Sequence, residues 1–149
     1  MISQTAEYAL RAIVALAQRG PGLAMLTPQI AAVTKVPPAY LAKVLQTLGR
    51  AGLVHSQRGL GGGFTLAKPP AQISVLEVVN AVDPLKRIEL CPLGVADHGA
   101  HLCPLHKRLD EALETVERSF ATTTIAQLIS PFGAGGGLCR TPDLEMMGL

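Results

Sequence analysis

The amino-acid sequence predicts a mainly α-helical protein that contains one small β-hairpin. Apolar residues recur at helical spacing in several segments bounded by proline or glycine, and a glycine-rich turn separates two short segments with the composition of strands. The chain has 149 residues, of which 48% are hydrophobic and 3% aromatic. This size suits one domain with a modest additional element.

The first predicted helix runs from about Ser3 to Arg19. Gly20 and Pro21 end it, and Glu7 lies in its first turn. Its apolar residues share one helical face, which we expect to lie in the core: Ala6, Ala9, Leu10, Ile13, Val14 and Ala17.

Two further predicted helices form a helical hairpin. Thr27 is the expected N-cap of the first, with Pro28 at its first helical position, and Pro38 opens the second after a tight turn. Gly52 follows the second helix, where a left-handed residue commonly ends a helix. An apolar stripe on the second helix is expected to face the core: Leu41, Val44, Leu45 and Leu48.

The opposite face of this second helix is polar and basic. It carries Ala39, Tyr40, Lys43, Gln46, Thr47 and Arg50. A short helix, a tight turn and a second helix of this kind are typical of a helix-turn-helix, whose second helix enters the major groove of DNA. Helical hairpins that bind nothing are also common, so the hairpin alone leaves DNA binding open.

A β-hairpin is predicted directly after the helical hairpin. Residues 53–58 and 64–66 have strand composition, and residues 59–63 form the turn, which indicates a winged helix-turn-helix. A nucleotide-binding loop is excluded, because the glycines open onto a strand and are not followed by Lys and then Ser or Thr. The glycines would let the tip approach a DNA backbone beside Arg58, or they simply make a flexible tip without a ligand.

The charge distribution favours a polyanionic partner for the N-terminal half. Residues 1–70 carry seven bases against one acid, a formal charge of +6, whereas residues 71–130 carry five bases against eight acids, a charge of −3. A solvated basic face without a partner is the alternative. The candidate DNA-binding residues are Thr27, Gln29, Ala39, Tyr40, Lys43, Arg50, Arg58, Gly61 and Gly62.

The C-terminal half contains two predicted helices joined by a loop. Ser74 and Glu77 form a capping box for a helix that ends at residues 83–84, and Pro104 opens a long helix. The long helix needs a partner for its apolar face, either a second copy in a two-fold dimer, the first helix of its own chain, or both. That face, the predicted dimerisation surface, carries Leu105 followed by Leu109, Leu113, Val116 and Phe120. A further helical turn capped by Thr124 includes Ile125 and Leu128.

These elements divide the chain into four predicted segments. A winged helix-turn-helix domain covers residues 1–83, a Cys/His-containing sensor loop residues 84–103, a dimerisation helix residues 104–130 and a flexible tail residues 131–149. No apolar run reaches the roughly 18 residues that span a bilayer, and no secretory leader is recognisable, so we expect a cytoplasmic protein without a membrane partner.

The loop before the long helix holds candidate metal ligands. Cys103 and His106 lie one helical turn apart, so that both side chains can converge on one metal, and Cys91 lies at the far end of the loop. His98 and His101 are reserves that would complete a tetrahedral zinc site. Two thiols without a metal, able to close a redox-sensitive disulfide, are the remaining alternative. We interpret the third cysteine, Cys139, as a free thiol.

An enzyme is not expected, and no small-molecule substrate is implied. The sequence contains no Ser/His/Asp constellation, paired-carboxylate cleft or nucleotide loop. The alternative function is a winged-helix module that binds protein and has lost DNA affinity. It remains open because Ala39, at the start of the second helix, offers no polar group to a base.

Four segments together resemble the bacterial Rrf-type winged-helix transcriptional regulators (IscR/NsrR-like). They are SQTAEYALRAIVALA, TPQIAAVTKVPPAYLAKVLQTLGRAGLV, RGLGGGFTLAKPP and ISVLEVVNAVD, and the likeness covers residues 1–130. The resemblance implies a homodimer that binds palindromic promoter DNA, with the long helices crossing at the dimer interface. In many members an iron-sulfur cluster in the cysteine loop controls DNA affinity.

The resemblance also implies a ligand set for the loop. The family commonly has three cysteines there, each separated from the next by five residues, and Cys91 and Cys103 keep the outer spacing while Asp97 occupies the middle position. His106 matches the histidine ligand of the IscR branch, and Glu7 matches a first-helix position from which some relatives supply a carboxylate across the dimer. The expected cofactor is a 2Fe-2S cluster on Cys91, Cys103, His106 and either Glu7 of the partner subunit or Asp97.

Overall fold

Helix α1 (Gln4–Arg19) lies at the centre of the fold and packs against four other helices. These are α2 (Thr27–Thr34), α3 (Pro38–Arg50), α4 (Val75–Val82) and α6 (Ile125–Ile129). Four alanines on the buried side of α1, Ala6, Ala9, Ala12 and Ala15, have no exposed surface, and their small side chains allow the neighbouring helices to approach closely. The computed structural model describes residues 2–92 and 101–129.

The predicted caps at Ser74 and Thr124 are confirmed, and Ser3 also caps a helix. The hydroxyl of Ser3 accepts a hydrogen bond of 3.2 Å from the N–H of Ala6. Ser74 and Glu77 form the expected capping box, in which Ser74 Oγ accepts from the N–H of Glu77 at 3.1 Å and the Glu77 carboxylate accepts from the N–H of Ser74 at 2.9 Å. Thr124 precedes α6, and its N–H donates to the side chain of Gln127 at 2.8 Å. The helix boundaries in these regions therefore follow from local sequence.

The prediction that Thr27 is the N-cap of α2 was wrong by one residue. Thr27 is the first residue of the helix, and Leu26 occupies the cap. Leu26 has no side-chain acceptor, and the Gln29 side chain instead accepts the N–H of Leu26 at 2.8 Å. A glutamine in the first turn can thus satisfy an N-terminal N–H when the cap residue is apolar.

The β-hairpin consists of β1 (Val54–Gln57) and β2 (Gly63–Leu66), paired antiparallel with Val54 opposite Leu66. We call residues 54–66 the wing. It follows α3 through Gly52, which adopts the expected left-handed conformation with φ of 74°. A short 3-10 helix (Pro70–Gln72) then connects the wing to α4.

The long helix α5 (Pro104–Thr122) is fastened to the winged domain at its C-terminal end. The N–H of Val75 donates to the carbonyl of Thr123 at 2.9 Å, and the N–H of Ile125 donates to the carbonyl of Ile73 at 2.9 Å. Ile73 and Ile125 have no exposed surface, so α6 belongs to the same hydrophobic core as α1.

None of the helices in residues 2–92 and 101–129 has the length and apolar character needed to cross a membrane. The predicted flexible tail, with Cys139, lies outside the described residues.

Candidate nucleic-acid interface and metal centre

Helix α3 separates a buried apolar face from an exposed polar face. The four leucine and valine residues of the predicted stripe have at most 2% of their surface exposed. The opposite face is exposed and includes Ala39, Lys43, Gln46 and Arg50. This geometry confirms the predicted orientation of the helix and leaves its basic side chains available to a partner.

A groove of about 780 Å³ runs between this exposed face and strand β1. Lys43, Gln46 and Arg50 line one side, and His55 and Ser56 line the other. The sequence contains no acidic residue between Glu7 and Glu77, so all the formal charges on the helix-turn-helix and the wing are positive.

Some basic residues of the N-terminal half form ion pairs with acidic residues, and others do not. Lys68 contacts Glu77 at 2.8 Å, and Arg11 pairs with Glu7 on α1. Among the described residues, no ion pair involves Lys43, Arg50 or Arg58. These three cations can therefore contact phosphates without breaking an internal ion pair.

Tyr40 is held against α1. Its hydroxyl lies 2.6 Å from the Thr5 hydroxyl, and its ring packs edge to face on Tyr8 with centroids 5.5 Å apart. The side chain remains 40% exposed. Tyr40 therefore positions the N-terminal end of α3 as well as presenting an aromatic edge to a partner.

The glycines of the wing have internal reasons to lack a side chain. A Cβ on Gly62 would lie 2.6 Å from the carbonyl oxygen of Gln57, and one on Gly63 would lie 2.5 Å from that of Met25. Gly61 has φ of 73° and open space around it. Close packing within the wing explains Gly62, and packing of the wing against the backbone of Met25 explains Gly63. Gly61 is exposed and has no such contact.

Cys91, Cys103 and His106 come together as predicted. Their sulfur and ring nitrogen atoms all lie within 4.8 Å of one another. Nδ1 of His106 lies 3.0 Å from Sγ of Cys103 and 3.6 Å from Sγ of Cys91. Cys103 is the N-cap of α5 and is buried, and the other two side chains are half-buried. The two cysteines are thiols rather than a disulfide.

Two sulfurs and one imidazole nitrogen fit three positions of a zinc or iron-sulfur site. Within residues 2–92 and 101–129, no fourth Cys, His, Asp or Glu joins the group. Glu7 is on the exposed face of α1 and pairs with Arg11 instead, and His101 is exposed. Asp97 and His98 lie outside the described residues.

The apolar face of α5 is only partly covered by the residues that the structure describes. Leu105 is 62% exposed and Leu109 is 47% exposed, while Leu113 and Val116 are half-buried. Phe120, at the other end, packs against the hydrophobic core of the winged domain. The predicted stripe therefore has two parts, one directed toward its own domain and one available to another molecule.

A salt-bridge network on α5 was not predicted from the sequence. Arg87, in the segment after α4, contacts Asp110 at 2.6 Å, Glu114 at 3.4 Å and Glu117 at 3.6 Å. The hydrogen bonds from Arg87 and from the N–H of Ile88 lower the pKa of Asp110 to about 2. The residues are 23 or more positions apart, and the only available signal was the spacing of the three acids along one face of α5.

The Rrf2 family, described as iron-dependent transcriptional regulators, matches residues 2–131 of the sequence. The chain belongs to the Rrf2 family. Members of this family are DNA-binding transcriptional regulators and not enzymes, which agrees with the prediction from sequence. The resemblance and the winged helix-turn-helix fold class inferred from the sequence are confirmed.

Three relatives place this Rrf2 protein more closely. A protein of Aquifex aeolicus named as an HTH-type transcriptional regulator is 32% identical over 133 residues, which cover 87% of this chain and 92% of the relative. CymR, the global cysteine regulator of B. subtilis, has a similar structure with a TM-score of 0.73 and 22% identity, over 87% of this chain and 95% of CymR. IscR of T. potens gives a TM-score of 0.69 and 23% identity, over 87% of this chain and 85% of IscR. Both structural likenesses establish the fold.

Proposed function

We propose that this Rrf2 protein is a homodimer that binds palindromic promoter DNA, and that the state of the Cys91–Cys103–His106 group sets its DNA affinity. The observation that carries the proposal is the convergence of those three side chains within 4.8 Å, in a chain whose helix α3 also has an exposed basic face. The presence of both features in one chain favours a regulated DNA-binding protein.

The DNA-binding surface in this proposal is the groove side of α3 together with the wing. Lys43 and Arg50 lie on the exposed face that would enter the major groove, and Arg58 lies beside the turn of the wing. Thr27 and Gln29 at the start of α2 would contact the phosphate backbone, as would Gly61 through its exposed main chain. Ala39 and Tyr40 lie at the N-terminal end of α3, where side chains approach the bases.

The dimer interface in this proposal is the uncovered part of α5. Leu105 and Leu109 are exposed in the single chain, and a second copy related by a two-fold axis would bury them. Leu113 and Val116 extend the same face toward Phe120. Such a dimer would present two copies of α3, one to each half-site of a palindrome.

A 2Fe-2S cluster is the first candidate for the metal centre, because the family is described as iron-dependent and two thiols with one imidazole suit such a cluster. The fourth ligand would be a carboxylate, from Glu7 of the partner subunit or from Asp97. When bound, such a cluster would supply redox chemistry, and its oxidation or release would change the state of the site. Zinc is the second candidate, because three donors within 4.8 Å of one another match the ligand spacing of one tetrahedral ion.

The chain itself connects this group to the DNA-binding surface. Cys103 is the N-cap of α5, and Thr123 at the other end of α5 accepts a hydrogen bond from Val75 of α4. Cys91 lies in the segment that follows α4. Both α4 and α6 pack on α1, which also contacts α2 and α3. A change in the distance between Cys91 and Cys103 would therefore act on both connections between α5 and the winged domain.

A salt-dependent binding experiment tests the DNA surface. Duplexes selected by the protein from a random pool serve as the probe, and Lys43→Ala and Arg58→Ala are compared with the wild type and with Lys86→Ala, a basic residue outside the helix-turn-helix and the wing. Each lost phosphate contact should reduce the slope of log affinity against log salt by about 0.9. The control should retain the wild-type slope. Unchanged affinity and slope in both test variants would place the DNA surface elsewhere.

A spectrum tests the metal centre. Protein purified without oxygen should be coloured and should contain iron and sulfide, and Cys91→Ala or Cys103→Ala should remove the colour. A colourless protein with one zinc per chain would select the second candidate. A preparation without metal would leave a thiol switch as the regulatory form.

A further inference from the structure

Asp110 fastens the segment before Cys91 to helix α5. Its carboxylate accepts hydrogen bonds from Nε of Arg87 at 2.7 Å, from Nη2 of Arg87 at 2.6 Å and from the main-chain N–H of Ile88 at 2.9 Å. The two bonds from one guanidinium form a planar, bidentate pair, and the third fixes the backbone itself. Asp110 is therefore bonded to two consecutive residues of this segment.

The position of Asp110 on α5 relates this contact to the Cys/Cys/His group. His106 lies four residues before Asp110, so both side chains project from the same face of the helix, one turn apart. Cys91 lies three residues after Ile88, and its sulfur is 3.6 Å from Nδ1 of His106. The hydrogen bond from Ile88 to Asp110 thus fixes the position of residues 87–91 along α5. Because of this position, Cys91 lies beside His106.

Three acidic residues along α5 contact Arg87. Besides Asp110, Arg87 contacts Glu114 and Glu117, which lie one and two turns further along the helix. The Arg87 side chain is 34% exposed and that of Asp110 18% exposed, so the pair is partly shielded from solvent. The remaining charge pairs on α5, Arg108 with Glu111 and Arg118 with Glu114, are more exposed and connect residues of the helix itself.

Building on the function proposed above, we propose that Asp110 is a positioning residue for the Cys91–Cys103–His106 group. It holds the segment of residues 87–91 in register on α5, with Arg87 as its counter-charge, so that Cys91 meets Cys103 and His106. The Asp110 carboxylate, one helical turn from His106, thus keeps the thiols of Cys91 and Cys103 close together.

Two probes measure this positioning in the full chain, with Cys139→Ser in every protein so that the third thiol does not react. In glutathione buffers, the chain exchanges with oxidised glutathione to give the Cys91–Cys103 disulfide and two reduced glutathione molecules, which reports the effective concentration of one thiol at the other. Titration with Co²⁺ reports metal affinity through the thiolate-to-cobalt absorption. The variants are Asp110→Ala and Asp110→Asn, and the control is Glu111→Ala, the neighbouring acid that pairs with Arg108.

Asp110→Ala should weaken Co²⁺ binding by about 10- to 100-fold, in the range found for residues that orient metal ligands. It should also lower the effective thiol concentration by about tenfold, because the segment is no longer held on α5. Asp110→Asn, which keeps an acceptor for Ile88, should fall between wild type and Asp110→Ala. Glu111→Ala should match the wild type in both measurements.

A Cys91→Ser background separates positioning from a general loss of structure. If Asp110 acts through Cys91, the effect of Asp110→Ala on Co²⁺ affinity should disappear in that background. Loss of thermal stability with unchanged thiol equilibrium and Co²⁺ affinity would overturn the proposal, and so would an equal loss of Co²⁺ affinity in the Cys91→Ser background. If the alanine variant does not fold, judged by helical circular dichroism, Asp110→Asn gives the same comparison. A wild-type protein that binds no Co²⁺ would contradict the metal centre alone, since the thiol equilibrium still decides the role of Asp110.

Discussion

The main chains of Met25 and Phe64 exchange two hydrogen bonds, of 3.0 Å and 2.8 Å, and so fasten the wing to the segment that enters α2. Met25 has 1% of its surface exposed, and it lies two residues before Thr27, the first residue of α2. The wing and the first helix of the DNA-binding unit therefore move together. Gly63, next to Phe64, allows the approach, because a Cβ there would meet the backbone of Met25.

Gly63→Ala should destabilise the protein more than Gly61→Ala. Both residues have positive φ, which costs a residue with a Cβ about 1–2 kcal/mol. Only Gly63 would in addition place its Cβ 2.5 Å from a carbonyl oxygen of the backbone. Urea unfolding of the two variants measures the difference. Equal loss in both would show that the Met25 contact tolerates a side chain.

Lys35→Gly should stabilise the protein by about 1 kcal/mol. Lys35 ends α2 in the left-handed conformation, with φ of 59° and ψ of 29°, where glycine has no steric penalty. Lys35→Ala keeps that penalty and removes the charge, so it serves as the matched control. A gain of the same size in the alanine variant would attribute the effect to the side chain rather than to the backbone.

Leu109→Asp should convert the protein to a monomer. Burial of one leucine contributes about 1.5–3 kcal/mol, and a two-fold interface contains each substitution twice. Leu109 is preferred to Phe120 for this test, since Phe120 also packs within its own chain. Sedimentation equilibrium gives the mass, and Leu60→Asp, at a fully exposed leucine of the wing, is the control. A dimeric Leu109→Asp variant would show that the interface lies elsewhere. A monomeric wild type would show that the protein does not form the proposed dimer.

Stability should fall as the pH decreases from about 4 to about 2, and Asp110→Asn should show less of this loss. The pKa of Asp110 is lowered from 3.8 to about 2 by its bonds to Arg87 and Ile88, so its contribution is complete above pH 4 and disappears as the carboxylate is protonated. Glu77, whose pKa is lowered mainly by the hydrogen bond from Lys68, adds a loss that both proteins share. Urea midpoints at several pH values measure the difference. Parallel curves for the two proteins would contradict the assigned role of the carboxylate.

Local sequence was sufficient to predict most of the fold. The caps at Ser3, Ser74 and Thr124 and the left-handed Gly52 mark boundaries through interactions over a few residues, and the structure has those boundaries. The N-cap of α2 was misplaced because the satisfying group is the side chain of Gln29, not that of the cap residue. Periodicity also predicted the buried face of α3.

The long-range contacts of the candidate site were only partly predictable. Cys103 and His106 are three residues apart at a helix start, so their convergence follows from helical geometry. The bond between Arg87 and Asp110, and the packing of Phe120 on the winged domain, depend on how α5 crosses the other helices. Charge and hydrophobicity identify such residues as candidates, but their partners emerge only from the packed structure.

The DNA affinity of one preparation, measured with its Cys/Cys/His group in different states, tests whether this group regulates DNA binding. Protein purified without oxygen is titrated with its selected duplex, then again after removal of metal and after oxidation of the thiols, alongside Cys91→Ser and His106→Ala. The affinity should change by about tenfold or more between states in the wild type. Cys91→Ser should show no such change, and His106→Ala should lose the change that follows removal of metal, although both variants remain folded. Equal affinity in every state of the wild type would contradict the claim that Cys91, Cys103 and His106 regulate DNA binding.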